Sequence, residues 1–202
     1  MFKDRPANDD QLRADGHGDA ALLREIATLR GALEKCASRI AELEHLAHVD
    51  PLVHLPNRRN FLSRLDASIA EAHRHAIEGA VLFLDVDGLK TINDEFGHEA
   101  GDGALVEVAR LLVESVRTAD VVARLSGDEF AILLDRTDEL TAWQIAERVV
   151  EAVDDCRFCV GRVRLNLSIA VGVAMIQRGD TAQDVLTRAD KEMYRIKALS
   201  GP

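Results

Sequence analysis

Between Val121 and Leu134 the chain reads Val-Val-Ala-Arg-Leu, then Ser126-Gly-Asp-Glu129, then Phe-Ala-Ile-Leu-Leu. Two apolar runs of strand length flank a turn of small and acidic residues, and Ser-Gly-Asp is ordinary turn chemistry, so two strands around a tight turn are expected. A third run, Ala80-Val-Leu-Phe-Leu84, is apolar at every position and closes on Asp85. Unbroken apolarity over strand length marks a central strand buried on both faces. A hairpin and a buried strand commit the chain to a sheet. They also put Asp85, Asp128 and Glu129 where apolar runs stop.

Helical patterns alternate with these strands. Asn57 can cap a helix whose apolar positions are Phe61, Leu65, Ile69 and Ala72. Ala104 to Val116 carries Leu105, Val108, Ala109, Leu112 and Val116 on one face, and Thr141 to Val153 reads the same way. Cys159 to Val163 and Asn166 to Ile176 read as strands, and a last helix is expected from Thr181 to Ala198, capped by Thr181 or Asp180. Interleaved helices and strands that include a hairpin indicate an α+β (α/β-like) domain over residues 50–202.

Ahead of it, residues 1–19 are polar and expected to be disordered. Over residues 20–49, Leu22, Ile26, Leu29, Leu33, Cys36, Ile40, Leu43 and Ala47 alternate steps of four and three. That heptad pattern predicts a long helix that dimerises as a coiled coil. Asp50-Pro51 ends it, because proline disfavours helical geometry in the residue before it.

A formal net charge of -10 argues against a broad nucleic-acid surface. No run is apolar enough to span a bilayer, and nothing behind Met-Phe-Lys-Asp-Arg-Pro resembles a secretory signal, so a cytoplasmic location is expected. Cys156 and Cys159 form a lone Cys-x-x-Cys, which without a second ligand pair reads as part of a strand.

Carboxylates gathered at strand ends repel unless a cation joins them, and hard oxygen donors suit Mg2+, with Mn2+ as the alternative. Asp85 and Asp87 face the same way if the strand continues; if it ends at Val86, Asp87 enters the loop. Gly88 then permits a tight turn into Leu89-Lys-Thr-Ile-Asn93, whose first backbone N–H groups, with Lys90 beside them, suit a phosphate. Taken alone, Phe83-Leu-Asp-Val-Asp-Gly88 is similar to the first motif of haloacid-dehalogenase-type phosphatases. A second acidic site in a hairpin favours a two-loop metal site over a phospho-aspartate.

Arg124-Leu-Ser-Gly-Asp-Glu-Phe130 resembles the signature of the GGDEF family of diguanylate cyclases. Asp50-Pro-Leu-Val-His-Leu-Pro-Asn-Arg-Arg59 resembles that family's opening D-x-L-T-G-L-x-N-R-R, and Ala189-Asp-Lys-Glu-Met-Tyr-Arg-Ile-Lys197 its closing helix. Asp85-Val-Asp-Gly-Leu-Lys-Thr-Ile-Asn-Asp94, Phe96-Gly-His98 and Gly101-Asp102 resemble its nucleotide-binding segment. The resemblance implies a mostly antiparallel five-stranded sheet flanked by helices, as in nucleotidyl cyclases and polymerase palms.

It also implies a GTP site. Asp85, the carbonyl of Val86 and Asp128 would hold Mg2+; Glu129 would sit beside the reacting 3′-hydroxyl as a further ligand or electrostatic helper. Asn93 and Asp102 would read guanine. Gly88, Leu89 and Lys90, with Lys197, would hold the β- and γ-phosphates. The product would be cyclic di-GMP, made by two GTP-loaded domains facing each other in a homodimer. Arg117-Thr-Ala-Asp120 lies where the family carries an inhibitory R-x-x-D site, which Arg148 would complete, so product inhibition is expected.

Four departures stand out: Ser126 for the signature's first glycine, Val53-His54 for Thr-Gly, Gly88 for a bulkier residue, and Ala198-Leu-Ser-Gly-Pro202 in place of the usual Gly-Arg-Asn. Serine is small, so activity is expected to survive the first. The alternative is a catalytically silent module that binds GTP or cyclic di-GMP; intact Asp85, Asp128 and Glu129 favour the cyclase.

Overall fold

The structure, a computed structural model, describes residues 25–26, 28–36, 39, 48–75 and 77–200. The chain forms two units, Met1–His45 and Leu46–Pro202. In the first, the described residues are helical, with Leu29 and Leu33 exposed. The expected tail and the heptad positions Leu22, Ile40, Leu43 and Ala47 lie outside the described residues.

The second unit opens with a tight loop organised by Asp50. Its carboxylate accepts hydrogen bonds from the backbone N–H of Leu52 and Val53, both at 3.0 Å, and Arg124 Nη1 lies 3.2 Å from it. His54, which stands where the resembled motif has glycine, holds a left-handed φ of 56°. A non-glycine side chain there costs about 1–2 kcal/mol. Burial pushes the Asp50 carboxyl up, but the Val53 N–H, the charge and hydrogen bond of Arg124 and the Leu52 N–H together hold it below the usual aspartate value. A depressed carboxyl contributes stability that is whole above its unfolded value and is lost as pH falls through the folded one. Thermal melts should therefore hold level from neutrality to about pH 4 and fall below it, and Asp50→Asn should flatten that acid limb while lowering the neutral-pH plateau. An acid limb unchanged in the variant would remove this contribution.

Helix α1 (Arg58–His75) starts as expected, with Asn57 Oδ1 accepting from Asn60 N at 3.1 Å. Strands β1 (Gly79–Val86), β2 (Val121–Ser126), β3 (Glu129–Asp135) and β6 (Ile169–Met175) form one antiparallel sheet in the order β2-β3-β1-β6. Side-chain alternation sorts its core in two. Ala80, Leu82, Leu84 and Val86 join Phe130, Ile132 and Leu134 on the face covered by α3 (His98–Glu114) and α4 (Glu139–Asp154). Val81, Phe83, Ala131 and Leu133 face α1 and α5 (Ala182–Ser200). Both faces are covered, which is why the Ala80–Leu84 run carries no polar residue.

The expected fifth strand is not in this sheet. Phe158–Val160 (β4) and Val163–Leu165 (β5) pair with each other as a separate two-stranded sheet. Gly161, at a φ of 61°, turns the chain back on itself, so the run read as one strand from Cys159 to Val163 is a hairpin instead. Helix α3 begins at His98, earlier than the apolar periodicity indicates, because its first turns carry glycines and acids rather than a stripe. Thr181, not Asp180, starts α5: its N–H donates to Asp184 Oδ2 at 3.0 Å and its Oγ accepts from Asp184 N at 3.3 Å. Asp180 is paired with Arg188 at 2.6 Å.

Candidate active site

Strand alternation fixes two of the acids. Asp85 continues the parity of Val81 and Phe83, Glu129 that of Ala131 and Leu133, and the two are direct partners across β1 and β3. Both thus project toward the α1 and α5 side. Asp128 lies in the turn, where its carbonyl accepts from Val86 N at 3.0 Å, tying the hairpin to the end of β1. Arg124 steadies the same turn by donating Nε and Nη2 to Gly127 O at 3.0 and 2.7 Å. Ser126 Oγ donates to Glu129 Oε2 at 2.5 Å.

Because β1 ends at Val86, Asp87 enters the loop. Its N–H donates to Ser168 O at 3.0 Å, and Ser168 Oγ donates to Asp87 Oδ2 at 3.2 Å. Gly88 then takes a left-handed conformation, φ 68°, and opens helix α2 (Leu89–Phe96) with no side chain capping it. An uncapped helix start directs N–H groups outward, the disposition expected of a phosphate cradle.

Lys197, reaching in from α5, lies 2.5 Å from Asp85 Oδ1 and 3.0 Å from Asp87 Oδ1. Burial pulls the ammonium down, but its hydrogen bonds to Asp85 and Asp87 outweigh that and hold it above the ordinary lysine value, fully charged at neutral pH. Its ammonium bridges the two carboxylates. Among the described residues no group of three or more His, Cys, Asp or Glu is gathered as a metal cage. The donors nonetheless fit a hard divalent cation: two carboxylates stand side by side in register, and Asp85 already takes a cation from Lys197. A cleft of about 940 Å³ is lined by Asp87, Ser168 and Lys197, with Trp143 and Val171 among its apolar walls. A smaller hollow of about 190 Å³ is lined by Arg58 and Glu129.

Asn93, on α2, meets the start of α3, which carries Asp102, because Gly97, at φ 85°, turns the chain between the two helices. The Asn93 carboxamide sits against the backbone of Gly101, next to Asp102. Lys90 is exposed at the start of α2.

Farther off, Arg117 and Asp120 form a turn closed by Arg117 N to Asp120 Oδ2 at 2.9 Å and Asp120 N to Arg117 O at 3.0 Å. They line a hollow of about 400 Å³ with Arg64, Pro56 and Val116. Arg148 is engaged nearby: its Nε and Nη2 donate to Ser115 O at 3.0 and 2.6 Å, at the end of α3. Cys156 Sγ donates to Glu107 Oε1 at 3.5 Å, and Cys159 is exposed. The Arg124–Asp50 and Ser168–Asp87 contacts also organise the site, and no local spacing signals them because each joins residues distant in sequence.

Comparisons with known proteins identify the family and the fold. The family described as "Diguanylate cyclase, GGDEF domain" matches residues 47–201. The chain is similar to diguanylate cyclase TpbB of Pseudomonas aeruginosa (strain PAO1), 38% identical over 93% of this chain and 43% of that protein. It is also similar to the response regulator PleD of Caulobacter vibrioides (strain NA1000 / CB15N), 39% identical over 76% of this chain and 34% of PleD. The chain thus spans less than half the length of these relatives. Among solved structures, diguanylate cyclase SiaD from Pseudomonas aeruginosa, crystallised with its activator SiaC, is 32% identical, covers 93% of this chain and 73% of its own, and superposes with a TM-score of 0.74. The coiled coil and GGDEF domain of DgcB from Caulobacter crescentus share the fold, with a TM-score of 0.83 over 88% of this chain and 95% of that one at 24% identity. With that match over residues 47–201, the chain belongs to the GGDEF-domain family of diguanylate cyclases.

Proposed function

We propose that this chain condenses two GTP molecules into cyclic di-GMP, releasing two pyrophosphates, as a homodimer in the cytoplasm. The observation that carries the reading is the cross-strand pair Asp85 and Glu129 beside the Gly88 turn and Lys197. Asn93 and Asp102 take the guanine edge, the carboxylate accepting from the N1–H and N2–H2 groups. Backbone N–H groups of Gly88, Leu89 and Lys90 face the β- and γ-phosphates, joined by the ammonium of Lys197. Each 3′-oxygen forms a bond to the α-phosphorus of the other nucleotide as the bond to pyrophosphate breaks. Glu129, oriented through Ser126, stands beside that hydroxyl to take its proton. Asp85, the Val86 carbonyl, Asp128 and Glu129 would hold Mg2+, which would supply charge neutralisation on the phosphate.

One domain holds one GTP, so the reaction needs two domains face to face. Leu29 and Leu33 are 62% and 72% exposed, which suits a helix whose apolar stripe pairs with a second copy. Joining domains this way raises the concentration of each around the other. Incubating the protein with GTP and Mg2+ and resolving the products by chromatography tests the proposal. Cyclic di-GMP and pyrophosphate are expected in a 1:2 ratio; tight cyclic di-GMP binding without synthesis would favour the silent module instead.

The Arg117–Asp120 turn fits a site for that product, since arginine suits bidentate phosphate contacts and stacks on guanine. Arg117→Ala is expected to weaken product inhibition by about tenfold or more in cyclic di-GMP concentration, with the initial rate unchanged. Inhibition curves that superimpose on the wild type would dismiss the site.

A further inference from the structure

Gly101 and Gly103 stand on either side of Asp102 early in α3. Each faces a neighbour, but at different distances. A Cβ on Gly101 would lie 2.0 Å from Asn93 Oδ1 and 2.8 Å from its Cγ, whereas a Cβ on Gly103 would lie 3.4 Å from the Phe158 ring. The first is a collision and the second is close to ordinary contact. Backbone geometry gives no reason for glycine at 101, because it lacks the left-handed φ found at Gly88 and Gly97. Helix propensity argues against it, since glycine inside a helix is less favourable than alanine. What the missing side chain provides is space, and the Asn93 carboxamide occupies it.

We propose that Gly101 is a positioning residue for purine recognition: its bare backbone seats Asn93 against α3 beside Asp102, so that one base meets both groups. The inference rests on the reading of Asn93 and Asp102 as the guanine contacts. The two side chains are chemically complementary. An ionised carboxylate only accepts hydrogen bonds, whereas a carboxamide both donates and accepts. Guanine presents donors at N1 and N2 and an acceptor at O6, so it needs an acceptor and a donor at a fixed separation. Adenine turns the lone pair of N1 toward that carboxylate. Moving Asn93 therefore weakens GTP binding and narrows its preference over ATP.

Gly101→Ala makes a clean perturbation because the atoms it meets first are the end of a flexible side chain, which can swing away while the helix stays. Calorimetric titration of the full chain with the non-reactive α,β-methylene analogue of GTP, in Mg2+, provides a readout independent of turnover. Gly101→Ala is expected to bind about tenfold more weakly with a melting temperature no lower than wild type, while Gly103→Ala binds as wild type does. In an Asn93→Ala background, Gly101→Ala should change affinity by less than about twofold. Wild-type affinity in Gly101→Ala, or an undiminished loss in the Asn93→Ala background, overturns the positioning role. If Asn93→Ala itself binds normally, the guanine reading of Asn93 fails and takes the inference with it. If Asn93→Ala is weakened and Gly101→Ala is not, only the positioning role falls.

Discussion

Asp85→Asn is expected to lower the rate of cyclic di-GMP formation by about 10²–10³-fold while the fold persists. The amide keeps the shape of the carboxylate but removes the charge that faces Lys197 at 2.5 Å and Glu129 across the strands. Lys197 retains Asp87 at 3.0 Å, so α5 stays anchored and the melting temperature should move little. Glu129→Gln should produce a loss of similar size. The double variant should be scarcely worse than either single one, because groups that act on the same transition state do not contribute additively. Rate measurement at saturating GTP and Mg2+ decides the matter. Turnover within tenfold of wild type in the double variant would remove the acid pair from the chemistry.

Gly172→Ala is expected to be the most damaging single methyl in the domain. Helix α5 crosses β6 so closely there that a Cβ would lie 2.1 Å from Ala189 O and 2.2 Å from Met193 N. Both are backbone atoms, so relief requires the whole helix to lift from the sheet. Overpacking of this kind costs about 3 kcal/mol or more, a fall of about 6–12 °C in melting temperature for a domain of this size. Lys197 rides on that helix. Activity well below the melt should therefore drop as well, since about 1 Å of misplacement can reduce a rate a hundredfold. An unaltered melt would mean that the helix sits farther from the strand than described. The contrast with Gly101 is instructive: an equally short approach is cheap to relieve against a carboxamide and expensive against a main chain.

Much of this was legible from residue order. The Ala80–Leu84 run, the Asn57 cap and the Phe61, Leu65, Ile69 stripe are local signals, and each produced the expected element. The two acidic sites were also visible because each interrupts an apolar run. What local pattern does not carry is pairing. That Asp85 meets Glu129 depends on the register of strands far apart in sequence, and that Lys197 reaches Asp85 rather than standing free depends on α5 folding back over the sheet. Arg124 illustrates the same limit. Its contact with Asp50 spans the domain, and nothing in the spacing announces it. The β4–β5 hairpin was misread for a different reason: a lone Gly161 in a short run can be a defect in a strand or the turn between two, and periodicity does not distinguish them.

The bulge in β2 has an effect of its own. Arg124 faces Phe130 and Ser126 faces Glu129, so Leu125 is an extra residue on the outer strand, tucked into the core. The irregularity sits entirely on the side of the hairpin remote from β1, and the ladder joining Asp85 to Glu129 runs through it undisturbed. The outer strand can thereby absorb a change in the path of the turn without shifting the Asp85–Glu129 register, while the Ser126 hydroxyl, bonded to Glu129, still couples the turn to that acid.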